Sequence, residues 1–111
     1  MNGDILVVYD RLKEVAKTRS LATYTEVGAL IGLDMANEYH RIRIAQILDD
    51  INAFEDRDGR PMISAVVVYK DTDRPDPGFF DCARKLEKFK GGSEEDFWVK
   101  EVKRVHEWKY R

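Results

Sequence analysis

One cysteine, three prolines and two histidines are all this 111-residue chain has of the residues that most often mark a staple, a break or a metal site. Cys82 alone cannot form an intramolecular disulfide, and a lone thiol fits a reducing compartment, so a cytoplasmic location is expected. His40 and His106 are too few and too isolated for zinc, which takes three or four clustered ligands. No metal and no cofactor are therefore expected. Long apolar runs are missing too: nothing approaches the ~20 residues of a membrane span. The Ile5–Tyr9 stretch is short, follows Asp4 and has no basic flank, which is not the pattern of a secretory leader. Nor is there an excess of one charge. Against 19 Lys and Arg stand 21 Asp and Glu, a net charge of −2, whereas a dedicated nucleic-acid binder carries a basic excess.

What is present is the composition of one globular domain, 43% hydrophobic and 36% charged. A chain of this length buries a modest core without disulfides or metal. Charge is unevenly placed. Arg11, Lys13, Lys17 and Arg19 fall early, His40 to Arg43 in the middle, and five acids lie between Asp49 and Asp58.

Hydrophobic spacing predicts the elements. Ile5, Val8, Leu12 and Val15 recur at helical steps, giving a helix over about 4–17 with Lys17 and Arg19 suited to its C-terminal dipole. Thr25 is the expected N-cap of a short second helix that buries Val27, Leu30 and Ile31 and stops at a left-handed Gly32. After a break at Leu33–Ala36, with Asp34 as the expected cap, a third helix runs from about Asn37 to Asp56. It turns Ile44, Ile47, Leu48, Ile51 and Phe54 inward, and His40, Arg43, Gln46 and Asp50 outward. Asp58-Gly59-Arg60-Pro61 ends it.

Met62–Tyr69 is rich in β-branched residues and reads as the one strand, buried on both faces. Asp71–Pro77, with two prolines and three aspartates, reads as an exposed loop. A helix over Gly78–Phe89 follows, with Phe79, Ala83, Leu86 and Phe89 inward. Gly91-Gly92 breaks it, and Ser93-Glu94-Glu95-Asp96 opens a last helix in a form close to a capping box. Trp98, Val102, Val105 and Trp108 make its apolar stripe. Helix, tight break, helix is the order of a helix-turn-helix. The expected fold is α+β and mainly helical: a single domain of winged-helix type over 1–111. Its helix-turn-helix core covers 4–58, a strand and wing-like loop 62–77, and two C-terminal helices 78–111.

The segment Ala22-Thr23-Tyr24-Thr25-Glu26-Val27-Gly28-Ala29-Leu30-Ile31-Gly32 resembles the start of the helix-turn-helix of alkylguanine-DNA alkyltransferases and their catalytically dead alkyltransferase-like relatives. The resemblance implies that Tyr24 contacts DNA backbone beside a flipped nucleotide. It also implies that Arg41 or Arg43 stands for the arginine that enters the base stack from the minor groove. Where that family has a Pro-Cys-His-Arg motif followed by paired valines, this chain has Ile63-Ser64-Ala65-Val66-Val67-Val68. Ser64 takes the nucleophile's approximate place with no histidine beside it, so activated-thiolate alkyl transfer is excluded. A second, looser resemblance joins Gly59-Arg60-Pro61, Ser64–Val68 and Pro77-Gly78-Phe79-Phe80 to a small domain of bacterial restriction- and defence-associated proteins.

Pro75-Asp76 followed by Glu101-Val102-Lys103 spells a metal-nuclease pattern. Glu101 and Lys103 lie in a helical pattern, however, where residues two apart do not face each other. The expected function is therefore non-enzymatic binding of duplex DNA, linked to repair or bacterial defence. Tyr24, Thr25, His40, Arg41 and Arg43 would contact DNA, with Lys70 and Arg74 adding phosphate contacts from the loop. The alternative is a protein-interaction module, an immunity or regulatory subunit with no nucleic acid. An acidic pI of about 5.7 favours it, as do the aromatics Trp98, Trp108 and Tyr110, which would meet a protein partner or a second copy through the C-terminal helix.

Overall fold

The computed structural model describes residues 2–111. Their elements are α1 (Gly3–Lys17), β1 (Ala22–Thr23), α2 (Tyr24–Ala29), α3 (Glu38–Arg57), a 3₁₀ turn (Ile63–Val66), β2 (Val67–Val68), α4 (Pro77–Lys85) and α5 (Glu94–Glu107). The architecture is mainly helical α+β. Its sheet among the described residues is one parallel pair, with Ala22 opposite Val67 and Thr23 opposite Val68.

Local chemistry explains most boundaries. Asn2 caps α1 by accepting the Ile5 N–H, and Asp4 sits in the first turn where the dipole favours an acid. Thr23, not Thr25, caps α2. Its hydroxyl accepts from Glu26 N–H while the Glu26 carboxylate accepts from Thr23 N–H, a reciprocal capping box. The expected cap was misplaced by two residues because β1 feeds straight into the helix, making Tyr24 its first residue. α2 ends at Ala29, three residues before the expected stop, and Leu30, expected inward, is 45% exposed; Gly32 is left-handed at φ +74° as expected, and Leu33 N–H reaches back to the Gly28 carbonyl at 2.9 Å. Asp34 makes only a local turn onto Ala36 N–H, and Asn37 caps α3 through Tyr39 and His40 N–H groups.

The expected strand over 62–69 is mostly something else. Ile63–Val66 wind into a 3₁₀ turn, and only Val67–Val68 pair. Burial decides this. Residues 61–68 are all buried, packed from different sides by α1, α3 and α5. With a single short partner at β1, most of the segment has no neighbouring strand to bond, and the tighter turn satisfies backbone groups internally. The segment is the middle of one core cluster that also takes Val8, Leu12 and Val15 from α1, Ile47 and Ile51 from α3, Phe79 and Ala83 from α4, and Val105 from α5. Phe54, expected inward, is instead 37% exposed. The Lys70–Pro77 segment has no strand in it; Tyr69 N–H donates to the Arg74 carbonyl and Asp73 N–H to the Tyr69 carbonyl, closing a tight turn. Pro77 belongs to α4 as its first residue, behind the N-cap Asp76.

Candidate functional site

A cleft of about 350 Å³ opens where α2, the N-terminal half of α3, the 3₁₀ turn and the start of α4 meet. Tyr24, Arg41, Asp49, Ser64, Tyr69 and Asp76 supply its polar and aromatic walls. Three of these come from separate parts of the sequence reading: the motif tyrosine, the second-helix arginine and the serine in the nucleophile's place.

Tyr24 is fixed rather than free. It is 8% exposed, its ring lies 4.6 Å from that of Tyr69, and its hydroxyl accepts the Asp76 N–H at 2.7 Å. Burial, above all, pushes its pKa up. Tyr69 O–H donates to one Asp76 carboxylate oxygen, while the other accepts Gly78 N–H at 2.7 Å and caps α4. Burial and then this bond push Tyr69 up to about 12. The two tyrosines and Asp76 thus clasp the Lys70–Pro77 turn to the mouth of the cleft. Arg41 reaches across the break before α3, donating to the Met35 carbonyl at 2.8 Å.

Behind the cleft runs a buried polar string. Asn52, on the inner face of α3, donates to Ser64 Oγ at 2.7 Å and accepts Ser64 N–H at 3.2 Å. Its amide also lies 3.9 Å from Cys82 Sγ. Burial first, then the facing Asp49 carboxylate, pushes the Cys82 thiol up to about 12, so it stays protonated at neutral pH. Asp49 itself is shifted upward, chiefly by burial, against the lowering effect of the Cys82 hydrogen bond. The hydrogen bonds of Ser64 run to Asn52, an amide that cannot take its proton.

The remaining expected site residues are dispersed. Thr25 is exposed on α2 outside the cleft lining. The Nδ1 of His40 accepts Asp34 N–H at 2.9 Å and secures the break. Arg43 is half-buried and points away from the cleft, two residues on from Arg41. Lys70 is exposed; Arg74 turns to α5, where it pairs with Glu95 at 2.9 Å. Glu38, Asp49 and Asp76 line the cleft together with Arg41. Trp98 is half-buried, its indole N–H donating to the Ala65 carbonyl at 2.8 Å; Trp108 is 38% exposed. Glu101, from the nuclease-like pattern, is buried on α5 and accepts Met62 N–H at 2.9 Å. Among the described residues no His, Cys, Asp and Glu side chains cluster as a metal site, and no helix is long and apolar enough to cross a membrane.

Sequence reasoning missed Tyr69, Asp76 and Asp49 as cleft residues. Asp76 carried a usable signal: Asp followed by Pro is the N-cap and N1 pattern of a helix start. It also missed Tyr39, 80% exposed, and Ile42, 50% exposed, on the outer face of α3. The class that the fold and site define is a small, mainly helical α+β unit with a tyrosine-clasped cleft beside a helix–break–helix. Comparison with protein-family models, with curated proteins and with solved structures finds no match to the chain.

Proposed function

We propose that the protein is a non-enzymatic DNA-binding protein of winged-helix kind, with α2 and α3 as the helix-turn-helix and the Lys70–Pro77 turn in the place of a wing. The observation that carries this reading is the convergence of Tyr24, Arg41 and Ser64 on one cleft. These are the residues at which the resemblance to the alkyltransferase-like proteins would require a DNA site. Arg41, rather than Arg43, becomes the counterpart of the base-stack arginine, because it faces the cleft. Tyr24 shapes the site through Asp76 and Tyr69, leaving phosphate contacts to more exposed groups. With three carboxylates around Arg41, affinity rests on few cations and falls steeply with salt. A role in repair or bacterial defence and a cytoplasmic location belong to the same reading.

The test is fluorescence anisotropy with a labelled duplex at low and moderate salt. Binding that weakens with salt, drops at least several-fold in Arg41→Ala and less in Arg43→Ala is the expected result. The exposed pair Tyr39 and Ile42 favours the other reading, a protein-interaction module, since exposed apolar side chains on one helix face suit a protein partner. No duplex binding at low salt, together with a concentration-dependent dimer that Tyr39→Ala disrupts, would replace the first reading with the second.

A further inference from the structure

One face of α3 forms a long side of the cleft. Glu38, Arg41, Ile42, Ala45, Leu48 and Asp49 line it at three- and four-residue steps. Glu38 and Asp49 are eleven residues apart, ~16 Å at ~1.5 Å per residue, so the cleft is a trough with a carboxylate toward each end.

Its charges do not cancel. Glu38, Asp49 and Asp76 share the lining with a single guanidinium, Arg41. None of the four makes a salt bridge among the described residues. Arg41 donates instead to the Met35 carbonyl, and Asp76 is engaged by Tyr69 O–H and Gly78 N–H. Asp49 is half-buried and has only the weak thiol donor of Cys82, while Lys85 acts on it from beyond salt-bridge distance. A carboxylate drawn out of water in this way lacks a cation to offset its desolvation.

The walls suit a cation as well. Tyr24, Tyr69 and Phe79 line the cleft, and no cation of the chain stands over their rings among the described residues. Ser64 also lines it although it is only 4% exposed. Its Oγ accepts from Asn52 and takes part in no other hydrogen bond among the described residues, so none joins it to Asp49. A hydroxyl has two acceptor positions, and one of these is therefore unused on a side chain more than nine-tenths buried. Asp49 and Asn52 are three residues apart on α3, and Asn52 holds Ser64. The lone carboxylate and the open hydroxyl thus share the inner end of the trough.

We propose that this trough binds a linear alkylammonium. The terminal ammonium donates to the Asp49 carboxylate and to the open lone pair of Ser64. Its methylenes lie along Ala45 and the ring of Phe79, and a second ammonium, where there is one, meets Glu38 at the outer end. A free polyamine or the lysine side chain of a partner supplies the group. The inference goes beyond the duplex-binding reading and does not rest on it. Arg41, which would hold DNA, repels this ligand.

The experiment is calorimetry on the full chain at neutral pH and low salt. The titrants are n-butylamine, putrescine, spermidine, 1-butanol and a blocked Gly-Lys-Gly peptide, and circular dichroism checks that each variant is folded. Binding of spermidine or of the lysine peptide is expected, with 1-butanol inert; whichever binds more tightly identifies the source. Asp49→Asn should weaken binding roughly tenfold and Ser64→Ala several-fold. Arg41→Ala should leave it unchanged or tighten it about twofold, the opposite of its effect on duplex binding. The proposal is overturned if no amine or lysine peptide binds, if 1-butanol binds as well as n-butylamine, or if folded Asp49→Asn binds like the parent. Amine binding without duplex binding overturns the DNA reading alone, and duplex binding without amine binding overturns this proposal alone.

Discussion

Asn52 shows how much one side chain can organise. It is buried on α3, its amide bonds both the hydroxyl and the backbone N–H of Ser64, and it thereby ties the helix to the 3₁₀ turn that carries the cleft's rear wall. Truncating it leaves both the Ser64 N–H and the Ser64 hydroxyl buried without their partner, whereas truncating Ser64 strands only the Asn52 amide N–H, which keeps the Cys82 sulfur at 3.9 Å. Asn52→Ala is expected to lower unfolding free energy by about 2 kcal/mol or more, and Ser64→Ala by about 1 kcal/mol, in urea melts. Equal costs would mean that the Ser64 N–H finds another partner. Neither residue was legible as a pair in the sequence. Twelve positions separate them, and no periodic pattern joins a helix face to a turn; burial of both is what makes their bond matter.

Single elements were more legible, because helix signals are local. The apolar steps of α1, the left-handed Gly32 and the Ser93 cap of α5 all stand where residue chemistry puts them. The start of α2 shows the limit of that logic. Thr23 and Thr25 both stand at the head of the apolar pattern and both suit an N-cap. Thr23, paired with Val68 in the sheet, has the extended backbone a cap requires, at φ −96° and ψ 156°, whereas Thr25 lies inside the helix. Thr23→Ala is expected to cost about 1 kcal/mol in thermal or urea melts, and Thr25→Ala, on an exposed face, a few tenths. A reversed order would mean that the capping box does not hold the helix start. The 62–69 run failed for the opposite reason. Its residues have strand propensity, but propensity describes fit to a pleated surface, and here two residues of partner strand leave little surface to fit.

At the scale of the whole molecule, the same burial that builds the core sets its response to alkali. Cys82 rises from 9.0 to about 12 and Tyr69 from 10.0 to about 12, both chiefly through burial, and Tyr9, Tyr24 and Tyr110 are pushed upward by burial as well. All five are neutral when protonated, so the native state holds these protons more tightly than the unfolded chain does. Their contribution is complete below the unfolded values. It is lost as pH climbs past 9–10 toward the folded values, because the unfolded state ionises first. The urea midpoint should hold from neutral pH to about pH 9 and then fall steadily, with circular dichroism and tryptophan fluorescence moving together. A midpoint unchanged at about pH 10.5 would contradict this assignment of burial.

By itself the sequence determined the parts whose causes lie within a few residues: five helical stretches, most of their stops, the turn after α3 and the largely apolar run over 62–69. It also placed Tyr24, with Arg41 and Arg43 as equal candidates, on a helix–break–helix. Only the tertiary structure decided that the buried run is mostly a 3₁₀ turn, that Tyr24 is clasped by Tyr69 and Asp76, that Arg41 rather than Arg43 meets the cleft, and that Arg74 leaves the cleft for Glu95. The physical reason is range. Caps, propensities and helical periods act over one or two turns of chain. Burial, the pairing of distant polar groups and the sharing of a cleft depend on which segments the core brings together.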